Sequence, residues 1–309
     1  MKLAAVDIGS NAIRLQITNV THYQGVFHFK KLEYLRFPLR LGKDVFQNQE
    51  ISSENRRKFI ELMRAFKILI DLYEVNDSMV CATSAMRESK NGREIVQHIF
   101  EELGLKIDVI NGSQEAELIN MALGKFIDHK TCLHIDVGGG STEFNIYKKT
   151  IKIASSSFKL GSVRSLNEDI SPSILEKMKK FLEDNLVKEK QVICLGTGGN
   201  INKVLELSKP HKNKRFLDLK KIREIHQLLE NYDYDERIYI LNLNPDRADV
   251  IIPATKIYIL AMEAANSSRM LVPDVGLKDG MMNFLFEKNN SEGENHLSTA
   301  DTPNKIKSI

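Results

Sequence analysis

An α/β fold made of two like lobes is what this sequence predicts, on three observations. Short apolar runs of strand length alternate with segments of helical periodicity from one end of the chain to the other. A short apolar strand, a glycine-bearing turn and a second strand open the chain, and the same pattern returns at Thr131. Asp7-Ile8-Gly9-Ser10-Asn11 and Asp136-Val137-Gly138-Gly139-Gly140 hold the same place in the two copies, so a duplicated lobe with a cleft between the copies is expected.

In the first copy, residues 2–8 form an apolar run, a turn follows at 9–11, and Ile13, Leu15 and Ile17 alternate with polar partners as a half-buried strand does. Phe59, Met63, Phe66, Leu69, Ile70 and Tyr73 recur at helical spacing after serines that can cap the helix. A strand at 79–82, a helix at 93–103 ending at Gly104, a strand at 106–110 and a helix at 115–126 complete the lobe. The second copy begins with a strand at 132–137, the turn 138–142 and a return strand through Phe144, Ile146 and Tyr147. Ser171-Pro172 opens a helix carrying Leu175, Met178, Phe181, Leu182 and Leu186. A strand at 191–195 runs into Gly196-Thr197-Gly198-Gly199-Asn200 and a helix at 201–207. Helices at 221–231 and 253–265, a strand at 270–272 and a closing helix after Asp274 follow. The expected division is 1–126, then 127–274, with the closing helix at 275–287 and a disordered tail at 288–309, where large apolar residues become scarce.

Composition narrows the function classes. Lysine plus arginine number 44 against 41 aspartates and glutamates, a balance that announces neither a nucleic-acid coat nor a membrane-surface protein. Any anionic ligand must be met locally. Cys81, Cys132 and Cys194 lie far apart in strand-like runs without metal-ligand spacing, which reads as buried reduced thiols in the cytoplasm. An aspartate interrupts the apolar run at the N-terminus, and no later run approaches bilayer length. Dinucleotide and P-loop fingerprints are absent: Ile201 stands where G-x-G-x-x-G counted from Gly196 needs glycine. Zinc-protease spacing and a nucleophile elbow are absent too.

The chemistry gathers at the turns. Glycine accepts positive φ and places no Cβ in a ligand's way, so successive peptide N–H groups can point at one anion. Two such turns facing each other could grip several phosphates. Asp136 and Glu143 flank the second turn and Asp7 is the matching carboxylate of the first, hard oxygen donors suited to Mg2+. Glu115 lies in a first helical turn, and Arg87 follows a strand whose end should converge on the same crevice, so they could serve water and phosphate. Gly196-Thr197-Gly198-Gly199 between strand and helix is a further phosphate cradle. Lys209, His211, Lys212, Lys214, Arg215, Lys220, Lys221 and Arg223 form a basic stretch that could guide a polyanion, or be a solvated face.

Ala5-Val6-Asp7-Ile8-Gly9-Ser10-Asn11, Ala82-Thr83-Ser84-Ala85-Met86-Arg87, Asp136 through Glu143 and Gly196-Thr197-Gly198-Gly199, in this order, resemble the exopolyphosphatase and guanosine pentaphosphate phosphohydrolase family. Leu160-Gly161-Ser162-Val163-Arg164, Arg247-Ala248-Asp249-Val250-Ile251 and Gly276-Leu277-Lys278-Asp279-Gly280 extend the likeness to about Phe286. The resemblance implies an actin-like fold of two ribonuclease-H-like lobes, the closing helix returning to the first, and a phosphate channel between them. It implies hydrolysis of terminal phosphate from polyphosphate or guanosine pentaphosphate, and a homodimer as the assembly. Within Gly112-Ser113-Gln114-Glu115-Ala116 it makes Glu115 the general base. Asp136, Glu143 and Asp7 become the magnesium and water acids. Gly9, Ser10, Asn11, Arg87, Gly138, Gly139, Gly140, Ser141, Thr142, Gly196, Thr197, Gly198 and Gly199 become the phosphate contacts. The family usually has arginine where Lys278 stands, and longer members add a helical region with a His-Asp signature; this chain resembles the short two-domain members. An actin-like ATPase or sugar kinase, and a non-catalytic sensor, are the competing classes; Ser10-Asn11 and the Glu115 motif oppose the first, and the joint presence of base and metal acids the second.

Overall fold

A computed structural model describes residues 1–127, 130–166, 170–186, 189, 191–210, 215–294 and 305–307. The chain falls into two compact units. One comprises Met1–Asn111, Glu117–Ala122 and Leu277–Ile309; the other comprises Gly112–Ala116 and Leu123–Gly276. The first turn of the helix that carries Glu115 therefore groups with the second unit, inside the span expected to belong to the first.

In the first unit β1 (Lys2–Ile8), β2 (Ile13–Tyr23) and β3 (Val26–Phe37) form an antiparallel meander. Helices α1 (Leu41–Asn48) and α2 (Ser53–Leu72) lead to β4 (Asp77–Ala82), which pairs parallel with β1. Then come α3 (Ser84–Glu88), α4 (Gly92–Leu103), β5 (Asp108–Val109) and α5 (Gly112–Leu123). Local chemistry sets the boundaries. Ser52 Oγ accepts from Asn55 N at 3.3 Å and starts α2, and Gly104, at φ 66°, stops α4. Ala4, Val6 and Ile8 face the core that Phe59, Met63, Phe66, Ile95 and Ile99 fill. Leu3 and Ala5, on the other face of β1, are equally buried, and α12 (Leu277–Glu294) packs against that strand. A strand covered on both faces reads as a continuous apolar run, which is why β1 was legible.

The second unit repeats the plan. The strands β6 (Thr131–Val137), β7 (Thr142–Lys148) and β8 (Ile151–Phe158) form its meander. Helix α6 (Pro172–Leu186) leads to β9 (Val192–Thr197), parallel to β6, and then α7 (Gly199–Leu207). After β10 (Phe216–Asp218) come α8 (Leu219–Asn231), α9 (Tyr234–Tyr239), α10 (Pro245–Ala248), α11 (Ile251–Ala264) and β11 (Arg269–Leu271). The sheet orders are β3-β2-β1-β4-β5 and β8-β7-β6-β9-β11, the same topology twice; β12 (Lys305–Lys307) is added outside β3 and β10 outside β11. This is the duplicated actin-like arrangement. The repeat holds to the hydrogen bond: Gly9 N donates to Ala12 O at 3.2 Å, and Gly138 N to Ser141 O at 3.0 Å.

The structure departs from the sequence reading at several elements. The strands β3 and β8 were not expected, because their charged and serine-rich alternation resembles a polar loop until a neighbour pairs with it. Helix α1 starts from Arg40 at φ 59° with no capping side chain, so nothing in the sequence announced it. The strand expected at 191–195 runs on through Gly196 and Thr197. The disordered tail expected from residue 288 is not found through Glu294, where α12 continues; its remainder lies outside the described residues except for β12. Cys81, Cys132 and Cys194, in β4, β6 and β9, are buried thiols outside any disulfide. Among the described residues no helix is long and apolar enough to cross a membrane.

Where α12 crosses α5, a Cβ on Gly280 would stand 1.8 Å from Leu118 O, a backbone atom that cannot step aside. Gly280→Ala should therefore cost about 1–3 kcal/mol in urea unfolding. Gly124→Ala, with nothing within 4 Å of its new methyl, should stay within about 0.5 kcal/mol of wild type.

Candidate active site

The register of β6 and β7 sets Asp136 directly opposite Glu143. Residues paired across a ladder share a face, so both carboxylates stand on one side of the sheet. Glu115 joins them from the first turn of α5, and one oxygen from each of the three lies within 4.8 Å of the others. Glu143 is buried and the other two are half-buried. At that spacing each pair of ionised carboxylates repels by about 3 kcal/mol at an effective dielectric of about 20. A cation relieves that repulsion, and a donor set made only of carboxylate oxygens suits a hard divalent ion rather than zinc or copper.

The surroundings hold these acids in place. Ser157 Oγ on β8 donates to Glu143 Oε1 at 3.0 Å. Gly112, at the start of α5, lies against the same serine: a Cβ there would come within 3.0 Å of Ser157 Cβ and Oγ, so glycine is what lets α5 approach. The turn after β6 is fixed from behind by residues 162–164. Gly138 O accepts from Ser162 N at 2.9 Å, Gly139 O from Val163 N at 2.9 Å and Arg164 N at 3.0 Å, and Gly140 O from Arg164 Nε at 2.7 Å. Because a trans peptide points its N–H opposite its C=O, the N–H groups of Gly139, Gly140 and Ser141 point away from residues 162–164.

A second turn opens α7. Gly198, at φ 108°, takes a conformation that side chains disfavour, and a Cβ there would lie 3.3 Å from Asp136 Oδ1. Asp136 thus sits beside the N-terminus of α7. The Arg247 guanidinium lies against the next residue, its Nη2 only 2.8 Å from where a Cβ on Gly199 would stand.

Several of the residues expected to touch phosphate serve the fold through their side chains. Thr142 is fully buried and donates its hydroxyl to Leu160 O at 2.6 Å. Thr197, also fully buried, pairs its hydroxyl with His134 Nε2 at 2.8 Å, and Gly196 is in β9 against the Met270 side chain. Ser10 Oγ is 2.9 Å from Ser84 Oγ, which ties the first turn to α3. Arg87 Nη1 donates to Ile110 O at 2.6 Å. Asp7 is not one of the three clustered acids; its Oδ2 accepts from Arg14 Nη1 at 2.8 Å. Arg14 stands opposite Asp7 in β2, the position that Glu143 holds opposite Asp136 in β7. One copy of the motif thus carries an ion pair where the other carries two acids. Of the basic stretch, residues 211–214 lie outside the described residues. Arg215 is bonded to Val272 O and Asn202 Oδ1, Lys221 pairs with Glu224, and Arg223 with Glu263.

His134, Asn145, Arg14, Arg164 and Arg247 were not singled out from the sequence. Arg164 and Arg247 lay within the stretches that carried the resemblance, which was the available cue. His134 and Asn145 looked like ordinary strand residues. Asn145 Nδ2 donates to His134 Nδ1 at 3.1 Å, which leaves the ring proton on Nε2 for Thr197 Oγ1. Asn145 Oδ1 accepts in turn from Ser155 Oγ at 2.7 Å. Complete burial pushes the His134 pKa down to about 3, so the ring is neutral.

A model of the Ppx/GppA phosphatase family matches residues 20–288. The chain is 25% identical over 314 residues to a bifunctional 3-dehydroquinate synthase/phosphatase of Fusobacterium nucleatum, covering 92% of this chain and 46% of that protein. It is 24% identical over 298 residues to a guanosine-5'-triphosphate,3'-diphosphate pyrophosphatase of Photobacterium profundum, with coverage of 92% and 59%. It therefore spans about half the length of these curated relatives. Among solved structures, an exopolyphosphatase from Cytophaga hutchinsonii superposes with a TM-score of 0.78 at 22% identity, covering 93% of this chain and 98% of that one. The Ppx/GppA family member from Aquifex aeolicus gives 0.73 at 24% identity, with coverage of 94% and 99%. Both likenesses are of fold.

His134 supplies a pH test. The unfolded ring takes up a proton as pH falls through 6.5, whereas the folded ring resists until about 3, so acidification across this window costs stability and the region above it is unaffected. Between pH 6 and pH 5 the loss should be about 1 kcal/mol. Urea titrations at the two pH values should show it in wild type and not in His134→Gln; equal slopes in both would refute the assignment.

Proposed function

From the premise that this chain belongs to the Ppx/GppA phosphatase family, we propose that it releases terminal orthophosphate from inorganic polyphosphate, guanosine pentaphosphate or both. The observation that carries this reading is the cluster of Glu115, Asp136 and Glu143 beside the Gly138–Gly140 and Gly198–Gly199 turns. Acids grouped at that spacing suit a cation and a water, and peptide N–H groups in a turn suit phosphate oxygens. Asp136 and Glu143, with Glu115 adjacent, would hold Mg2+; when bound, the ion neutralises charge on the phosphoryl group being transferred.

Glu115 takes the role of general base. Its carboxylate accepts a proton from the attacking water as the new P–O bond forms at the terminal phosphorus. The bridging P–O bond opposite breaks, and the electron pair leaves with the shortened chain or with the guanosine tetraphosphate. The proton balance closes with orthophosphate and a product one phosphate shorter. Such transfer needs little covalent help; positioning and charge neutralisation supply most of the acceleration. The N–H groups of Gly139, Gly140 and Ser141 and the α7 N-terminus at Gly198 and Gly199 hold phosphate oxygens in this reading. Arg164 acts behind them, through Gly140 O. Gly9, Ser10, Asn11 and Arg87 are assigned further phosphate contacts. Asp7 orients the Arg14 guanidinium, a role that suits its ion pair better than metal ligation does.

The deciding experiment is phosphate release with Mg2+ from purified protein, offered polyphosphate, guanosine pentaphosphate and ATP side by side. One of the first two should be cleaved fastest. Glu115→Gln should lower the rate about 100- to 10,000-fold, the usual scale for a lost general base. Turnover of ATP alone, or a Glu115→Gln variant with full activity, would overturn the reading. Chelation with EDTA should abolish release and added Mg2+ should restore it.

A further inference from the structure

The parallel ladder between β6 and β9 ends at the pair Asp136–Thr197. Beyond it β9 leaves the sheet, because Gly198 takes φ 108° and α7 begins at Gly199. Val137 N–H and Thr197 C=O therefore stand at the fork of two diverging strands, and both residues are buried. A peptide group left unmet there costs about 1–3 kcal/mol. One side chain meets both. Tyr258 on α11, itself wholly buried, donates its hydroxyl proton to Thr197 O and accepts from Val137 N at 3.3 Å. The same hydroxyl and Asp136 Oδ1 each lie 3.3 Å from the point where a Cβ on Gly198 would stand. Hydroxyl, carboxylate and glycine thus surround one spot. Burial, with the negative charge of Asp136 behind it, holds the phenol pKa well above its usual value, so the group stays a donor.

We propose that Tyr258 is a positioning residue for Asp136: its hydroxyl is a wedge in the β6–β9 fork that sets the gap between the Asp136 carboxylate and the Gly198–Gly199 turn. The proposal deepens the phosphohydrolase reading and rests on it for what the acids bind. Without the hydroxyl, the two strands either close on each other or admit a water, and both changes carry Asp136, the residue before Val137 and the partner of Thr197. Glu143 lies on the opposite side of β6 from the fork and is held separately, by Ser157 on β8. The spacing of the acids changes, and with it the affinity for a cation.

Four proteins test this: wild type, Asp136→Asn, Tyr258→Phe and Thr255→Val. Phenylalanine keeps the ring that fills the core, so Tyr258→Phe should fold. Thr255 is a wholly buried neighbour on α11 whose hydroxyl serves only its own helix, at 2.6 Å from Ile251 O, and it controls for stability loss alone. Mn2+ binding is read by the electron paramagnetic resonance of free Mn2+, stability by urea, and kcat and KM at saturating Mg2+ on polyphosphate. Tyr258→Phe should bind Mn2+ about 10- to 100-fold more weakly, the range for loss of a group that orients a ligand, and should lose kcat with KM held within about twofold. Thr255→Val should lose stability and keep its Mn2+ affinity. A Tyr258→Phe variant with wild-type Mn2+ affinity and a lower urea midpoint would overturn the proposal, and so would equal weakening in Thr255→Val. If wild type itself shows no Mn2+ site that depends on Asp136, the cation reading falls and the positioning role falls with it, a failure visible before any tyrosine variant is compared.

Discussion

Mutual repulsion among Glu115, Asp136 and Glu143 is the constraint around which the second unit is organised. Three acids with oxygens within 4.8 Å of one another do not stay together by preference. The β6–β7 register fixes two of them, and the approach of α5 over Gly112 brings the third. Two of them are bounded at short range: Glu143 by Ser157, and Asp136 by the turn that residues 162–164 fix on one side and by Gly198 on the other. Three carboxylates held at that spacing are a donor set suited to a cation.

The duplication shows how one backbone plan supports two chemistries. Both units close the β-hairpin with the same glycine-to-carbonyl hydrogen bond and place an aspartate in the same position of the inner strand. The residue opposite decides what each aspartate can do. Arg14 neutralises Asp7 and leaves a guanidinium held in a fixed orientation, whereas Glu143 doubles the charge at Asp136. The first copy thus presents an ion pair where the second presents two acids.

Behind the acids, one side of the sheet is unusually polar for a core. His134, Asn145 and Ser155 form a continuous chain of hydrogen bonds that ends on Thr197, the β9 residue in register with Asp136. Every member of that chain has a named partner, so the network rigidifies the strands instead of weakening them. Burial keeps the imidazole neutral and adds no charge to a region already crowded with negative ones.

The sequence by itself determined the turns, the helix boundaries that serine and glycine set, the two-fold repeat, and the identity of all three clustered acids. These features are local: a glycine turn, a cap or a periodic apolar face is dictated by residues a few positions apart. What only the tertiary structure decided is where side chains point once strands pair. It sent the Thr142 and Thr197 hydroxyls into the core, gave Asp7 to Arg14, made Gly196 part of a strand, and brought Tyr258 from a helix more than a hundred residues away to the end of β6. It also turned the charged run from Val26 and the serine-rich run from Ile151 into strands, because their backbone groups find partners only when a neighbouring strand is already in place. Hydrogen bonding between segments distant in sequence has no periodicity to announce it, and that is the physical reason the acids were legible while the residues that hold them were not.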